Sequence, residues 1–309
     1  MNSIIITGAS SMIGAATVAE ALKQNMQVTT VIRKNSPQLN NLSQFLTDKN
    51  IDVIECDIKN YDSLSFNKKY DAFFHMAWQS TNSERRDDVY TQINNIKFTM
   101  DALNAAIRAG CESFVYTGSQ AEYGRVTEKL DADTKCNPES GYGIAKYAAG
   151  KMSCLLASQL GIRLCYARIL SVYGEGMLSG TFIMYLIKTL FDGEKPSLTK
   201  CEQLWDYMYV RDAARAFLSI AEKGVDGKVY PIGSGNARPL REYAEIIRDI
   251  INPFSELGFG EKDYYPYQPM YLCADINSLK KDTGFKPQYS FENGIKKTIE
   301  WYKSTYGVE

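Results

Sequence analysis

The sequence predicts an α/β protein: a doubly wound parallel sheet with a smaller mixed α/β unit set over it. Three observations carry this expectation. Apolar, β-type runs alternate with segments of helical period through the first half of the chain. A glycine-bearing turn, Thr7-Gly8-Ala9-Ser10-Ser11-Met12-Ile13-Gly14, directly follows the apolar run Ile4-Ile5-Ile6. After Tyr173 the alternation gives way to segments rich in glycine and aromatic residues.

In order, Ile4–Thr7 reads as a strand and 15–24 as a helix. Val28–Ile32, Ile51–Cys56 and Ala72–Met76 read as the next strands, the last bounded by Asp71. The spacing of Ile93, Ile96, Leu103 and Ile107 predicts a helix over 89–109 that Gly110 closes. Ser113–Thr117 is a strand, 142–159 a helix ended by Gly161, and Arg163–Leu170 a strand again. Strands joined by helices at this spacing build a parallel sheet, whose ligands bind at the carboxyl ends of the strands. The stretch 256–270, with Gly258, Gly260, Pro266 and Pro269, reads as loop.

At 309 residues with 45% apolar content, the chain can bury a large core. A net charge of −1 supplies no global field for nucleic acid or an anionic membrane surface. No run approaches the roughly 20 apolar residues of a membrane span, and the N-terminus reads as a buried strand rather than a secretory signal. A cytoplasmic location without nucleic-acid or membrane partners is expected. The seven cysteines (Cys56, Cys111, Cys136, Cys154, Cys165, Cys201 and Cys273) are scattered, with no Cys-x-x-Cys pair, and His75 is the only histidine. Neither a disulfide framework nor a metal site is expected. Acid–base chemistry must therefore rest on other side chains.

A glycine turn between a strand and its helix brings a pyrophosphate close to the helix N-terminus. Here Ser11 occupies the middle glycine place; its small side chain fits, and its hydroxyl is able to donate to phosphate. The turn assigns residues 1–172 to a dinucleotide-binding domain, with returns near 208–235 and 270–278. The rest of 173–309 forms a smaller substrate-binding domain. At the end of the second strand a carboxylate would select NAD, but the chain reads Val31-Ile32-Arg33-Lys34. Two cations suit a 2′-phosphate, which favours NADP(H), with NAD(H) as the alternative.

Tyr142 and Lys146 stand four apart on one helix face. Phenol, with a pKa of about 10, is a poor base at neutral pH, and a nearby ammonium favours its phenolate. Ser119, just past a strand end, is placed to bind the same substrate oxygen. With these residues the sequence resembles the extended short-chain dehydrogenase/reductase family, the NAD(P)-dependent sugar-nucleotide epimerases and dehydratases, nearly end to end. Thr7–Gly14 is similar to the family's glycine turn except at Ser11, Cys56-Asp57-Ile58 to its adenine-contacting segment, and His75-Met76-Ala77 to its His-x-Ala. Asn95 with Thr99, the trio Ser119, Tyr142 and Lys146, Arg168-Ile169 with Val172-Tyr173-Gly174, Tyr209-Val210-x-Asp212 and Ile232-Gly233-Ser234-Gly235 follow its pattern as well.

The resemblance implies a Rossmann-like fold and a catalytic set of Ser119, Tyr142, Lys146 and Asn95, with Asn95 supporting the geometry and His75 structural. It implies a cofactor site from Gly8, Ser10, Ser11, Met12, Ile13, Gly14, Arg33, Lys34, Asp57, Ile58, Ala77 and Trp78 together with Tyr142 and Lys146. A nucleotide-sugar substrate would then meet Gln79, Ser119, Gln120, Trp205 and Arg238. Dehydratases of the family carry Asp-Glu after the serine position, where this chain has Gln120-Ala121; Glu122, one place late, would point away in an extended segment. Dehydration and decarboxylation are therefore disfavoured. Reduction of a nucleotide-linked 4-keto-6-deoxyhexose by NADPH is favoured, with 4-epimerisation as the alternative and a non-catalytic dinucleotide sensor third. Trp205 stands where many relatives place a diphosphate-clamping arginine, and Arg238 is the nearest replacement cation. The family's four-helix-bundle homodimer would use the helices near 90–109 and 142–160.

Overall fold

The computed structural model describes residues 1–81, 85–266 and 268–308. Seven strands form its central sheet: β1 (Ser3–Thr7), β2 (Gln27–Ile32), β3 (Ile51–Glu55), β4 (Ala72–His75), β5 (Ser113–Ser119), β6 (Arg163–Ile169) and β7 (Val229–Ile232). Their order is β7-β6-β5-β4-β1-β2-β3 and every pairing is parallel. The order in which strands are added reverses between β1 and β4, so a crevice opens there at the carboxyl ends of the strands.

The sheet is apolar on both faces because helices cover both. Alternation along each strand sorts the side chains. Ile4, Ile6, Phe74, Val115, Cys165 and Ala167 pack in one core cluster with α1 (Met12–Lys23). Ile5, Phe73, Phe114, Tyr116, Leu164 and Tyr166 pack in the other, against α2 (Val89–Arg108) and α3 (Gly141–Leu160). Alanines at 102, 105, 106, 149 and 157 let α2 and α3 lie close to the sheet.

Helix ends are set by caps rather than by apolar period. α1 starts at Met12, three residues earlier than expected, because the Ser11 side chain accepts the Gly14 amide hydrogen as N-cap. Ser140 caps α3 in the same way, and Gly161 in the left-handed region ends it. β5 runs two residues beyond its expected end, to Ser119.

Beyond β6 the chain adds α4 (Phe182–Phe191), returns through α5 (Val210–Lys223) to β7, and continues with α6 (Leu240–Ile251), α7 (Asn277–Thr283) and α8 (Phe291–Tyr306). The stretch 256–270 is mainly loop but includes Gly258–Phe259, which pairs with Ser197–Leu198. Leu204–Trp205, Arg238–Pro239 and Tyr271–Leu272 form a small sheet. The fully buried carboxylate of Asp206 fastens this region by accepting from the amides of Ser234, Gly235 and Ala274.

Candidate active site

The glycine turn closes against β4. Gly8 adopts φ +67°, and a Cβ there would lie 2.7 Å from the Ala77 nitrogen; one on Gly14 would lie 2.4 Å from the Gly8 carbonyl oxygen. Both positions therefore need glycine. Ser11 is the cap of α1, and the Met12 and Ile13 amides at the start of the helix remain as donors. This cradle fits a pyrophosphate. Ser10 bonds Ser36 at 2.8 Å, tying the turn to the segment that follows the exposed Arg33 and Lys34. Asn41 donates to the Ser10 carbonyl oxygen at 3.0 Å. Asp57 caps the short 3₁₀ turn that contains buried Ile58, accepting from the Lys59 amide at 3.1 Å.

His75 is structural. Its ring lies 3.0 Å from the Thr7 hydroxyl through Nδ1 and 3.3 Å from the Thr99 hydroxyl through Nε2, joining β1, β4 and α2. Burial, with the Lys146 charge acting in the same sense, lowers its pKa to about 3, so the imidazole is neutral at physiological pH. Asn95, fully buried on α2, accepts from the Gln79 amide at 2.9 Å and donates to the Gln79 carbonyl at 3.0 Å. It thereby fixes the segment Ala77-Trp78-Gln79 beside the crevice.

Ser119 stands at the carboxyl end of β5, and its hydroxyl oxygen accepts from the Ala121 amide at 3.2 Å. Tyr142 and Lys146 enter from the first turns of α3, which lies beside β5. Burial raises the Tyr142 pKa, while Ser119 and the positive charge of Arg86 pull it down. The Lys146 ammonium donates to the Thr117 carbonyl at 2.7 Å and lies 3.8 Å from the centroid of the Trp78 indole. Burial lowers its pKa to about 7, with the Glu122 charge opposing that shift. Trp78 also meets the Tyr142 ring edge to face at 6.0 Å and donates to Gln92 at 2.9 Å.

Two expectations change. Residues 120–122 form a 3₁₀ turn rather than an extended segment, so Glu122 points inward. Its carboxylate accepts from the Ser119 amide at 2.7 Å, from Arg168 at 2.7 Å and from the Tyr166 hydroxyl. The Ser119-x-x-Glu122 spacing is a capping-box signature, which was the available signal for this turn. Second, Arg238 is held by Glu292 at 2.6 Å and so is not a free cation. It pairs across the small sheet with Trp205, whose half-buried indole donates to Ser171 at 2.7 Å beyond the end of β6. Gln120 begins the turn after Ser119 and is partly buried.

Arg86 was missed by sequence reasoning. Its guanidinium carbon lies 4.5 Å from the Tyr142 ring centroid. The segment carrying it has no helical or strand period to draw notice. Among the described residues, no group of three or more His, Cys, Asp or Glu side chains is placed to hold a metal ion.

The description of the NAD dependent epimerase/dehydratase family matches residues 4–233. The chain is 24% identical to the uncharacterized UDP-glucose epimerase YtcB of Bacillus subtilis (strain 168) across 99% of each chain. It is 23% identical to the dTDP-4-dehydro-6-deoxyglucose reductase of Escherichia coli across 97% of each. The fold matches UDP-glucuronic acid 4-epimerase from Bacillus cereus, solved in complex with NAD, with TM-score 0.86 and 20% identity over 98% of this chain and 99% of that one. With a glycine turn, a parallel seven-stranded sheet and the Ser119, Tyr142 and Lys146 set at its carboxyl edge, the chain belongs to the NAD dependent epimerase/dehydratase family, the extended short-chain dehydrogenase/reductase enzymes of nucleotide-sugar chemistry.

Proposed function

We propose that this protein reduces the C4 ketone of a nucleotide-linked 4-keto-6-deoxyhexose, using NADPH. The observation that carries the reading is the carboxyl end of β5. Ser119 ends that strand and Tyr142 stands in the first turn of α3 beside it, and the one acid of the following turn, Glu122, is turned inward into an ion pair with Arg168. Elimination of water needs an added acid and base beside the substrate, whereas reduction needs only a proton donor for the oxygen. The similarity to a dTDP-4-dehydro-6-deoxyglucose reductase supports the same choice.

NADPH, held by the glycine turn, Lys146, Arg33 and Lys34, would supply hydride chemistry at the carbonyl carbon. Tyr142 donates its phenolic proton to the carbonyl oxygen, and Ser119 orients that oxygen through its hydroxyl hydrogen. Lys146 contributes positive charge and holds the nicotinamide ribose. The glycine turn receives the pyrophosphate, and Arg33 and Lys34 take the 2′-phosphate. Trp205, beside the end of β6, stacks on the base or sugar. The elements after 173 outside the central sheet form the substrate side. Seven free cysteines suit a reducing, cytoplasmic setting, and no described helix is long and apolar enough to cross a membrane.

The test offers CDP-, dTDP-, GDP- and UDP-linked 4-keto-6-deoxyhexoses with NADPH and follows loss of reduced-nicotinamide absorbance. Oxidation with one of these ketones, abolished in a folded Tyr142→Phe variant, is the expected result. The second reading, 4-epimerisation, is favoured by the similarity to a UDP-glucose epimerase. It would be established by interconversion of UDP-sugars without added cofactor and no NADPH oxidation with any ketone.

A further inference from the structure

The Tyr142 phenol needs positive charge beside it whenever it has given up its proton, and Lys146 is not alone in supplying it. Its ammonium is bound to the Thr117 carbonyl, lies against the Trp78 indole, and is 5.8 Å from the Tyr142 ring centroid. Arg86 is closer, at 4.5 Å, over the same ring. Its Nε is buried and has no hydrogen-bond partner among the described residues.

The segment is fixed in place rather than resting on the ring by chance. Asp87 accepts the Gly141 amide hydrogen at 2.6 Å, at the start of α3. Asp88 caps α2 by accepting from the Thr91 amide at 3.2 Å. A Cβ on Gly141 would come within 3.3 Å of the Arg86 carbonyl oxygen and of the Asp87 Cα. Residues 86–88 are therefore strapped between the N-termini of α2 and α3, with the guanidinium on Tyr142.

We propose that Arg86 is a positioning residue for the reaction, a second cation beside Lys146 that holds the Tyr142 phenolate. This rests on the reading of Tyr142 as proton donor. When the carbonyl carbon accepts hydride and its oxygen takes the Tyr142 proton, the phenol is left negative. Arg86 stabilises that charge across the ring face until solvent returns a proton. Of the other charged or titratable groups facing Tyr142, only Lys146 adds positive charge. Glu122, in the turn after β5, disfavours an added negative charge, Tyr116 on β5 is an uncharged phenol, and Asp87 is engaged with the α3 amide. Lys146, on α3 itself, acts from its place at the Thr117 carbonyl, farther from the ring than Arg86.

The test reads Tyr142 directly. Protein carrying 13C at the tyrosine ζ carbon is titrated by NMR, the Tyr142 signal being identified by its loss in Tyr142→Phe. Arg86→Gln is expected to move the Tyr142 midpoint up by about one pH unit, a tenfold change in the ionisation equilibrium, and Arg86→Lys to restore most of it. In turnover assays the alkaline limb of kcat should move up by the same amount in Arg86→Gln, with KM little changed. An unmoved midpoint in a variant with wild-type circular dichroism and melting would overturn the proposal. So would a raised KM with an unmoved midpoint, which would make Arg86 a substrate-anion contact instead. The NMR readout needs no substrate, so its failure is separate from failure of the proposed reaction.

Discussion

Lys146 is the residue at which stability and chemistry conflict. It is 4% exposed, and burial lowers its pKa from 10.5 to about 7. Between about pH 7 and 10.5 the unfolded chain holds a proton that the folded chain has released, so this group makes stability rise with pH across that window. Below it both states carry the charge, and the folded state bears the full cost of burying an ammonium. Lys146→Met removes the ammonium and leaves the Thr117 carbonyl without its partner, two effects of opposite sign. Their difference depends on pH, because only the first titrates. Denaturant midpoints should therefore show Lys146→Met at its best relative to wild type near about pH 6, with the advantage shrinking towards about pH 9. Turnover should fall throughout. A difference between the two proteins that is flat with pH would show that Lys146 is not held against its charge.

At the scale of elements, the carboxyl end of β2 is where cofactor choice is expected to lie. Arg33 and Lys34 are exposed there, and the Ser10 to Ser36 bond brings their segment to the glycine turn. Hydrogen bonds to charged groups contribute about 1.5–3 kcal/mol each, so losing the guanidinium contact to a 2′-phosphate weakens binding by roughly ten- to a hundredfold. Arg33→Ala with Lys34→Ala should raise the NADPH dissociation constant by at least that factor and leave NADH binding within about twofold, measured by fluorescence titration. Equal losses for both cofactors, or tighter NADH binding in the wild type, would defeat the assignment. The strands and helices around this end were legible because both faces of the sheet are apolar and the covering helices keep a helical period. Their ends were less so, since Ser11 and Ser140 set them through hydrogen bonds that apolar spacing does not encode. The turn at 120–122 departs from an extended segment because its capping box closes it, and Arg86 carries no local signal because its contact with Tyr142 joins residues far apart in the chain.

At the scale of the molecule, the first half could be read as a topology, while the region after 173 could not. Its strands of two residues carry no period, and their pairing depends on distant groups such as Asp206 reaching the amides of residues 234, 235 and 274. One global feature does follow from the sequence-legible half. On α2, Tyr90 and Ile93 are 82% and 55% exposed; on α3, Ile144, Met152 and Leu155 are 55%, 48% and 68% exposed. Single exposed apolar residues are ordinary, but these repeat at helical spacing on two helices packed side by side. A second copy related by a two-fold axis would cover them with the same pair, making four helices, and a stable contact of this type needs about 800 Å² from each partner. The protein should therefore sediment as a dimer. Ile93→Asp with Leu155→Asp places unpaired charges in that apolar seam and should give a folded monomer, read by sedimentation velocity with circular dichroism as the control for folding. A wild-type monomer, or a dimer indifferent to both charges, would mean that these rows face solvent and that the copies, if they associate, use another surface.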